Sequence, residues 1–403
     1  MRYFRLPSLS RDVWRVIAVN AAMTSLFAFV SIFVNLYWWN QGTPIFQVSL
    51  FNLASTLALF GAYWIGTYVL SQRDIRTVMV LSTVGAGMTF VILALSGAGG
   101  RLVYTVAVGG LFGATQGFFW AANNASMYTV LPADQYADYF SALTVIGQAV
   151  SVVVPVVTGA AVAAWGFHRS FLAMLLVVAA AFGFAIQLPH QGFDEAVFRR
   201  WHVREVVRKP GTAWVLLVVF FAGLINQFVT LFSLVYLFTI STRVTVVTAL
   251  NLASALVLLA ALTTYRRLRL TQDAWIVLGS FSLAIAFGLA LAIRQGLWAI
   301  AVVFLLRVGG LWVSGASGRQ RYRVVMQGDV AWRTRFGLWM EVPFVVSRTV
   351  VLTGSLWVRH LGDPVFLILM GVTMVALGGL PWATRRAVRA YDEGIEWSSK
   401  ATS

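Results

Sequence analysis

The chain has 403 residues, of which 59% are apolar and 11% charged. Soluble domains carry about 25% charged and about 45–50% apolar residues, so a water-soluble globular protein is excluded, and the same numbers exclude a disordered chain. The net charge is +16, from 30 Lys+Arg against 14 Asp+Glu. In a soluble protein this would point to nucleic acid, but in a membrane protein basic residues collect in cytoplasmic loops, so no nucleic-acid partner is implied. There is no cysteine, which removes disulfides and thiolate metal sites.

A membrane helix needs about 20 mostly apolar residues. Charges and turn residues cut the chain into twelve such runs, at 13–37, 45–70, 77–96, 102–124, 139–163, 170–188, 213–237, 246–264, 274–293, 297–317, 336–358 and 364–384. The spacing therefore predicts an all-α integral membrane protein with twelve transmembrane helices. The first run follows Met1, Arg2, Arg5 and Arg11, as a signal peptide would. It lacks a small-residue cleavage site and ends in Tyr37-Trp38-Trp39, so it is read as an uncleaved first span with an aromatic anchor at the interface.

The distribution of cations orients the chain. With twelve spans, 23 of the 30 Lys and Arg fall on the side of the termini, five on the other, and two, Arg307 and Arg348, inside spans. This asymmetry places both termini in the cytoplasm and the protein in the cell membrane.

The longest polar stretch, 189–212, divides six spans from six. The expected organisation is an N-terminal six-helix bundle at 1–190, a cytoplasmic central loop at 191–212 and a C-terminal six-helix bundle with a short cytoplasmic tail at 213–403. The halves share features. The turn between spans 2 and 3 (Ser71-Gln72-Arg73-Asp74-Ile75-Arg76) and that between spans 8 and 9 (Tyr265-Arg266-Arg267-Leu268-Arg269) are both short and basic. At an offset of about 195 residues, Gly159 corresponds to Gly354 and Phe171 to Phe366; parallel six-helix repeats of this kind are a transporter architecture.

On these features, over essentially its whole length, the chain resembles the major facilitator superfamily. Gly66, Arg73 and Arg76 match part of the superfamily's signature in the 2–3 turn, although Leu70 stands where an Asp is expected. Pro155 and Gly159 loosely resemble the Pro–Gly motif of exporters in span 5. The resemblance implies two six-helix bundles, no cofactor, no enzymatic activity and alternating access around a central cavity lined mainly by spans 1, 4, 7 and 10. Arg73, Arg76, Arg266 and Arg267 then take the place of a cytoplasmic gate.

Charges inside the bilayer are costly and are functional candidates by default. Arg307 in span 10 and Arg348 in span 11 stand near the midplane, and Glu341 lies in span 11 nearer the cytoplasm. A guanidinium offers a planar fork of donors matched to carboxylate or phosphate, so the two arginines are candidates to bind an anionic group. The structural alternative has them bracing the C-half through carbonyls or hydroxyls such as Ser314, Ser317 or Ser347. Glu341 is either a proton carrier or the partner of loop arginines such as Arg335 or Arg319. Among neutral residues on the cavity spans, Asn20, Gln116, Asn226 and Gln227 are candidate substrate contacts, and Trp64 and Trp120 candidate stacking walls. The other amides, such as Asn35, Asn123, Asn124, Gln148 and Asn251, are expected to tie helices together. Gly109, Gly113 and Gly117 form a small-residue stripe that permits close helix contact. The four His fall in loops without metal-ligand spacing, and no ATP-binding motif is present.

The expected function is secondary transport, driven by a gradient, of a small organic solute, anionic or amphipathic. Export of lipophilic or drug-like compounds and lipid-headgroup flipping are the alternatives within transport. A polytopic receptor or an intramembrane enzyme is the alternative outside it. The expected partners are the substrate, small-molecule or lipid, the lipid bilayer and protons as the coupling ion, with the protein a monomer.

Overall fold

The computed structural model describes residues 10–41, 43–95, 102–129, 136–191, 207–268, 270–292, 298–326 and 330–402. Most of the central loop expected at 191–212 lies outside the described residues, as do Arg2, Arg5, Arg101, Arg269 and Arg294. Among the described residues there is no strand, and eleven helices are long and apolar enough to cross a membrane. They are α1 (Arg11–Trp39), α2 (Pro44–Gln72), α3 (Ile75–Leu95), α4 (Leu102–Thr129), α5 (Tyr136–Ala185), α6 (Thr212–Ile240), α7 (Val244–Arg267), α8 (Gln272–Ala292), α9 (Trp298–Val325), α10 (Val330–Ser355) and α11 (Pro364–Thr402).

Local chemistry sets several helix ends. Ser10 caps α1 by accepting from the Val13 amide at 3.4 Å, and Asp12 in the first turn pairs with Arg15 at 2.7 Å. Asp74 accepts from the Thr77 amide at 2.8 Å and so satisfies one free N–H at the start of α3. Inside α1, residues Val30–Val34 form one π-helical turn, and Asn35 follows it, donating to the Ser31 carbonyl at 3.0 Å. α5 contains two runs read from the sequence as separate spans. Its 50 residues are interrupted at Gly166, where φ is 78° and ψ 174°. That conformation is open to glycine at little cost, and it ends one helical run and begins another.

The chain divides into two compact units: 1–42 with 54–198, and 43–53 with 199–403. Each has an aromatic cluster of the same design. In the first unit Phe29 packs against Phe33, Phe90 and Phe171, with ring centroids 5.5, 5.8 and 6.0 Å apart. In the second, Phe228 packs against Phe232, Phe287 and Phe366, at 4.5, 5.2 and 6.0 Å. The offsets between matching residues are 199, 199, 197 and 195. The repeat glimpsed in Phe171 and Phe366 is thus four phenylalanines deep, joining α1, α3 and α5 in one unit and α6, α8 and α11 in the other.

Small residues let the helices approach. A Cβ on Gly113 would lie 2.0 Å from the Ser55 carbonyl oxygen, and one on Gly117 2.4 Å from that of Leu59. The predicted stripe of α4 therefore seats directly on the backbone of α2. In the second unit Gly279 of α8 and Gly309 of α9 meet likewise, each Cβ falling within 2.9 Å of the other's carbonyl oxygen. Outward faces carry apolar rows at helical spacing, such as Val277, Phe281 and Ile285 on α8, all exposed. Contiguous exposed apolar surface of this extent is foreign to soluble monomers and is what lipid requires.

One expectation about α1 changes. Tyr37 and Trp38 are not at an outer surface but buried, at 5% and 0% exposure. Tyr37 packs edge-on against Phe167 and Phe171, and Trp38 against Tyr104. Burying large rings inside the unit removes more apolar area from contact with water and headgroups than an interfacial position would.

Candidate functional site

The second unit holds both intramembrane arginines. Arg307, on α9, donates through Nη2 to Oδ1 of Asn251 on α7 at 3.2 Å. Asn251 is buried and anchors its own Nδ2 on the Val247 carbonyl at 2.9 Å, which turns its oxygen towards the guanidinium. Arg348, on α10, donates through Nε to Oε1 of Gln227 on α6 at 2.8 Å, and its guanidinium lies 5.1 Å from the Phe344 ring centre. Gln227 is 3% exposed, while both arginines are half-buried. Beside it, Asn226 accepts from the Ser314 hydroxyl of α9 at 2.7 Å. Four helices are thereby cross-linked by three side-chain hydrogen bonds.

In each pair an ion is held by a neutral amide. A guanidinium has five N–H donors, and each of these bonds uses one. Among the described residues no carboxylate lies within 4 Å of either arginine, so neither forms an ion pair there. The hydroxyls proposed as alternative braces are engaged elsewhere: Ser317 and Ser347 donate to backbone carbonyls, and Ser314 to Asn226.

Glu341 is half-buried on α10, two turns from Arg348, and its charge is felt by those of both Arg348 and Arg321. It forms no ion pair among the described residues. The loop arginines suggested for it are occupied otherwise. Arg319 lies over the Tyr265 ring at 4.9 Å, and the Arg335 Nε–H returns to the Ala331 carbonyl at 3.3 Å.

In the first unit Asn20 of α1 donates to the Asn123 side-chain oxygen of α4, both being buried. Asn124 donates to the Tyr63 hydroxyl of α2 at 3.1 Å. Gln116 is half-buried and free of hydrogen bonds to the described residues. Trp120 is 42% exposed and packs on Phe119, and Trp64 is half-buried against Phe60. The structure thus places Asn226, Gln227, Arg307 and Arg348 in three separate bonds that tie α6, α7, α9 and α10, and Asn20 in a bond of the first unit.

Of the four basic residues read as a gate, Arg73, Arg266 and Arg267 are exposed, while Arg76 belongs to a small polar cluster. The Arg76 guanidinium contacts His190 Nε2 at 3.0 Å, and His190 Nδ1 meets the Asp74 carboxylate. Because arginine only donates, Nε2 is the acceptor and Nδ1 carries the proton given to Asp74. The Ile75 amide also donates to the Gln191 carbonyl at 2.9 Å. The 2–3 turn is therefore clasped to the end of α5. Burial alone would raise the Asp74 carboxyl, but bonds from the Thr77 hydroxyl and amide and from His190 hold it below the ordinary carboxylate range. Sequence reading passed over Asp74 and His190 as loop residues; the spacing Asp74–x–x–Thr77 ahead of an apolar run was the available signal.

No protein-family model matches the chain, and no curated protein matches it. Solved structures do. A POT family transporter in complex with 5-aminolevulinic acid matches 95% of this chain and 98% of its own at 10% identity, with a TM-score of 0.69. A D-xylose–proton symporter matches 92% and 97% at 12% identity with a TM-score of 0.69. A bacterial homologue of the iron transporter ferroportin, in an inward-facing state, matches 93% and 97% at 13% identity with a TM-score of 0.67. The chain has the fold these membrane transporters share, the major facilitator fold expected from its sequence.

Proposed function

We propose that the protein is a secondary active transporter that moves a small organic anion across the cytoplasmic membrane by alternating access. The observation that carries the anion is the pair Arg307–Asn251 and Arg348–Gln227, two guanidiniums inside membrane-spanning helices held by neutral amides. An unpaired charge in a low-dielectric setting is expensive. A site that keeps two of them, positioned and with free donors, is organised for a negative partner that comes and goes. Resident carboxylates would have neutralised the charges permanently.

In this reading α5 crosses the bilayer twice, about its break at Gly166, which makes twelve crossings in two six-helix bundles with both termini in the cytoplasm. Its 50 residues would span about 75 Å as one helix, more than twice the roughly 30 Å hydrocarbon core. Glu341 is the proposed proton-coupling residue. It is a carboxyl without an ion pair, on the same helix as Arg348, so that its charge state and the occupancy of the guanidinium influence each other. Asn226 and Gln227 orient the site. That solved structures of this fold include proton-dependent oligopeptide transporters and a D-xylose–proton symporter supports the coupling ion.

The test is uptake into proteoliposomes. A panel of labelled organic anions, with uncharged analogues beside each, should show accumulation of at least one anion and none of its analogue. Arg307→Ala should abolish it. Equal uptake of the uncharged analogue, or full activity in the variant, would remove the anion from the reading.

A further inference from the structure

At the end of the second unit where the turn between α7 and α8 lies, a cavity of about 610 Å³ opens between α8, α9 and α11. Its walls include Gln272, Asp273, Arg319, Arg323, Arg385 and Arg389. Four arginines thus face one space with a single carboxylate among its lining residues. Two are neutralised: Arg385 pairs with Asp273 at 2.9 Å, and Arg323 with Asp392 at 2.8 Å. Arg319 rests over the Tyr265 ring at 4.9 Å, and Arg389 is exposed. Neither of these two has a carboxylate within 4 Å among the described residues. Both oxygens of Asp273 are engaged, since Oδ1 also accepts from Gln320 at 2.8 Å.

The cavity is not isolated. It shares Thr271, Asp273 and Arg385 with a second hollow of about 650 Å³, whose further walls are apolar: Leu270, Val277, Leu278 and Phe281. Val277 and Phe281 are 52% and 63% exposed and continue the outward row of α8. A basic chamber at a helix end thus adjoins, across the Asp273–Arg385 pair, an apolar trough along the exposed face of α8.

We propose that these two adjoining hollows together bind an anionic phospholipid of the leaflet on that side, which the positive-inside pattern makes the cytoplasmic one. The phosphate lies against Arg319 and Arg389, whose planar forks match its oxygens, and an acyl chain lies in the trough along Val277 and Phe281. Anionic lipids concentrate in that leaflet, and basic pockets at helix ends select their headgroups. The trough is what separates a lipid from a free phosphate, which has no use for Leu278 or Phe281. The lipid is resident here, apart from the arginines of the transport site.

Native mass spectrometry of the full-length protein in mild detergent, titrated with phosphatidylglycerol or phosphatidylcholine, tests this. The wild type should retain phosphatidylglycerol selectively, and each of Arg319→Gln and Arg389→Gln should weaken that retention about fivefold. Arg307→Ala should leave it unchanged. Phe281→Ser should weaken it as well, and millimolar inorganic phosphate should not displace the lipid. Equal retention of both lipids, or undiminished retention in both arginine variants, overturns the proposal. Displacement by inorganic phosphate together with an unaffected Phe281→Ser overturns the lipid in favour of a free anion. Should Arg319→Gln lose its fold with the Tyr265 contact, exposed Arg389 alone carries the test.

Discussion

Arg348 gives its Nε–H to Gln227 at 2.8 Å across 121 positions of sequence, joining α10 to α6 through an ion and a neutral amide. A charge-assisted bond of this kind contributes about 1.5–3 kcal/mol. Gln227→Leu should therefore lower the thermal midpoint in detergent and free the guanidinium. Gln227→Glu is the sharper variant. It supplies a permanent counter-ion at nearly unchanged volume, so stability should be kept or raised while anion uptake falls at least tenfold. Uptake at the wild-type rate in Gln227→Glu would show that Arg348 does not meet the substrate.

Arg307 and Asn251 predict a graded pair of effects. Arg307→Ala removes the charge and should abolish uptake. Asn251→Ala leaves the charge and removes only its orientation, a loss of about 0.5–3 kcal/mol. It should raise the half-saturating anion concentration while leaving the maximal rate within a few-fold. Identical losses in the two variants would argue that the pair serves only to hold α7 on α9.

Glu341→Gln separates binding from coupling. The variant should still exchange anion for anion in counterflow but should no longer accumulate it when a pH gradient is imposed. Accumulation that follows the pH gradient as in the wild type would remove Glu341 from the coupling role.

The clasp of Asp74, His190 and Arg76 carries a pH dependence. The Asp74 carboxyl is held below its ordinary range in the folded protein. Its contribution is therefore complete above the unfolded carboxylate value, about pH 4, and is lost as pH falls through the lowered folded value. Asp74→Ala should cost about 0.5–2 kcal/mol by removing the helix cap of α3. Thermal midpoints of wild type and variant should differ at pH 7, and the difference should shrink as pH is lowered below about 4. A difference constant over that range would disprove the charge contribution.

Gly113 and Gly110, three positions apart on α4, should behave in opposite ways. A Cβ on Gly113 meets the Ser55 carbonyl at 2.0 Å, whereas one on Gly110 meets nothing within 4 Å. Gly113→Val should abolish recovery of folded protein, while Gly110→Ala should be neutral or add about 0.5–1 kcal/mol by restricting the unfolded chain. Monodispersity on size exclusion and the thermal midpoint measure both.

The long apolar helices were legible because burial in lipid acts on composition, segment by segment. So was the rarity of Arg307 and Arg348, since any charge within an apolar run stands out. Nothing local says whom such a charge meets. That Arg307 takes Asn251, that Arg348 takes Gln227, and that Glu341 has neither Arg335 nor Arg319 as a partner depend on helix rotations and crossings that sequence spacing leaves open. The same holds for Tyr37 and Trp38, whose aromatic chemistry suits an interface as well as a core, and which packing against Phe171 and Tyr104 assigns to the core. Arg319, Arg385 and Arg389 carried only a topology signal along the chain. They became one chamber because the start of α8 meets the last turns of α9 and a stretch of α11, which brings Asp273 beside Arg385, 112 positions away, as only the tertiary structure decides.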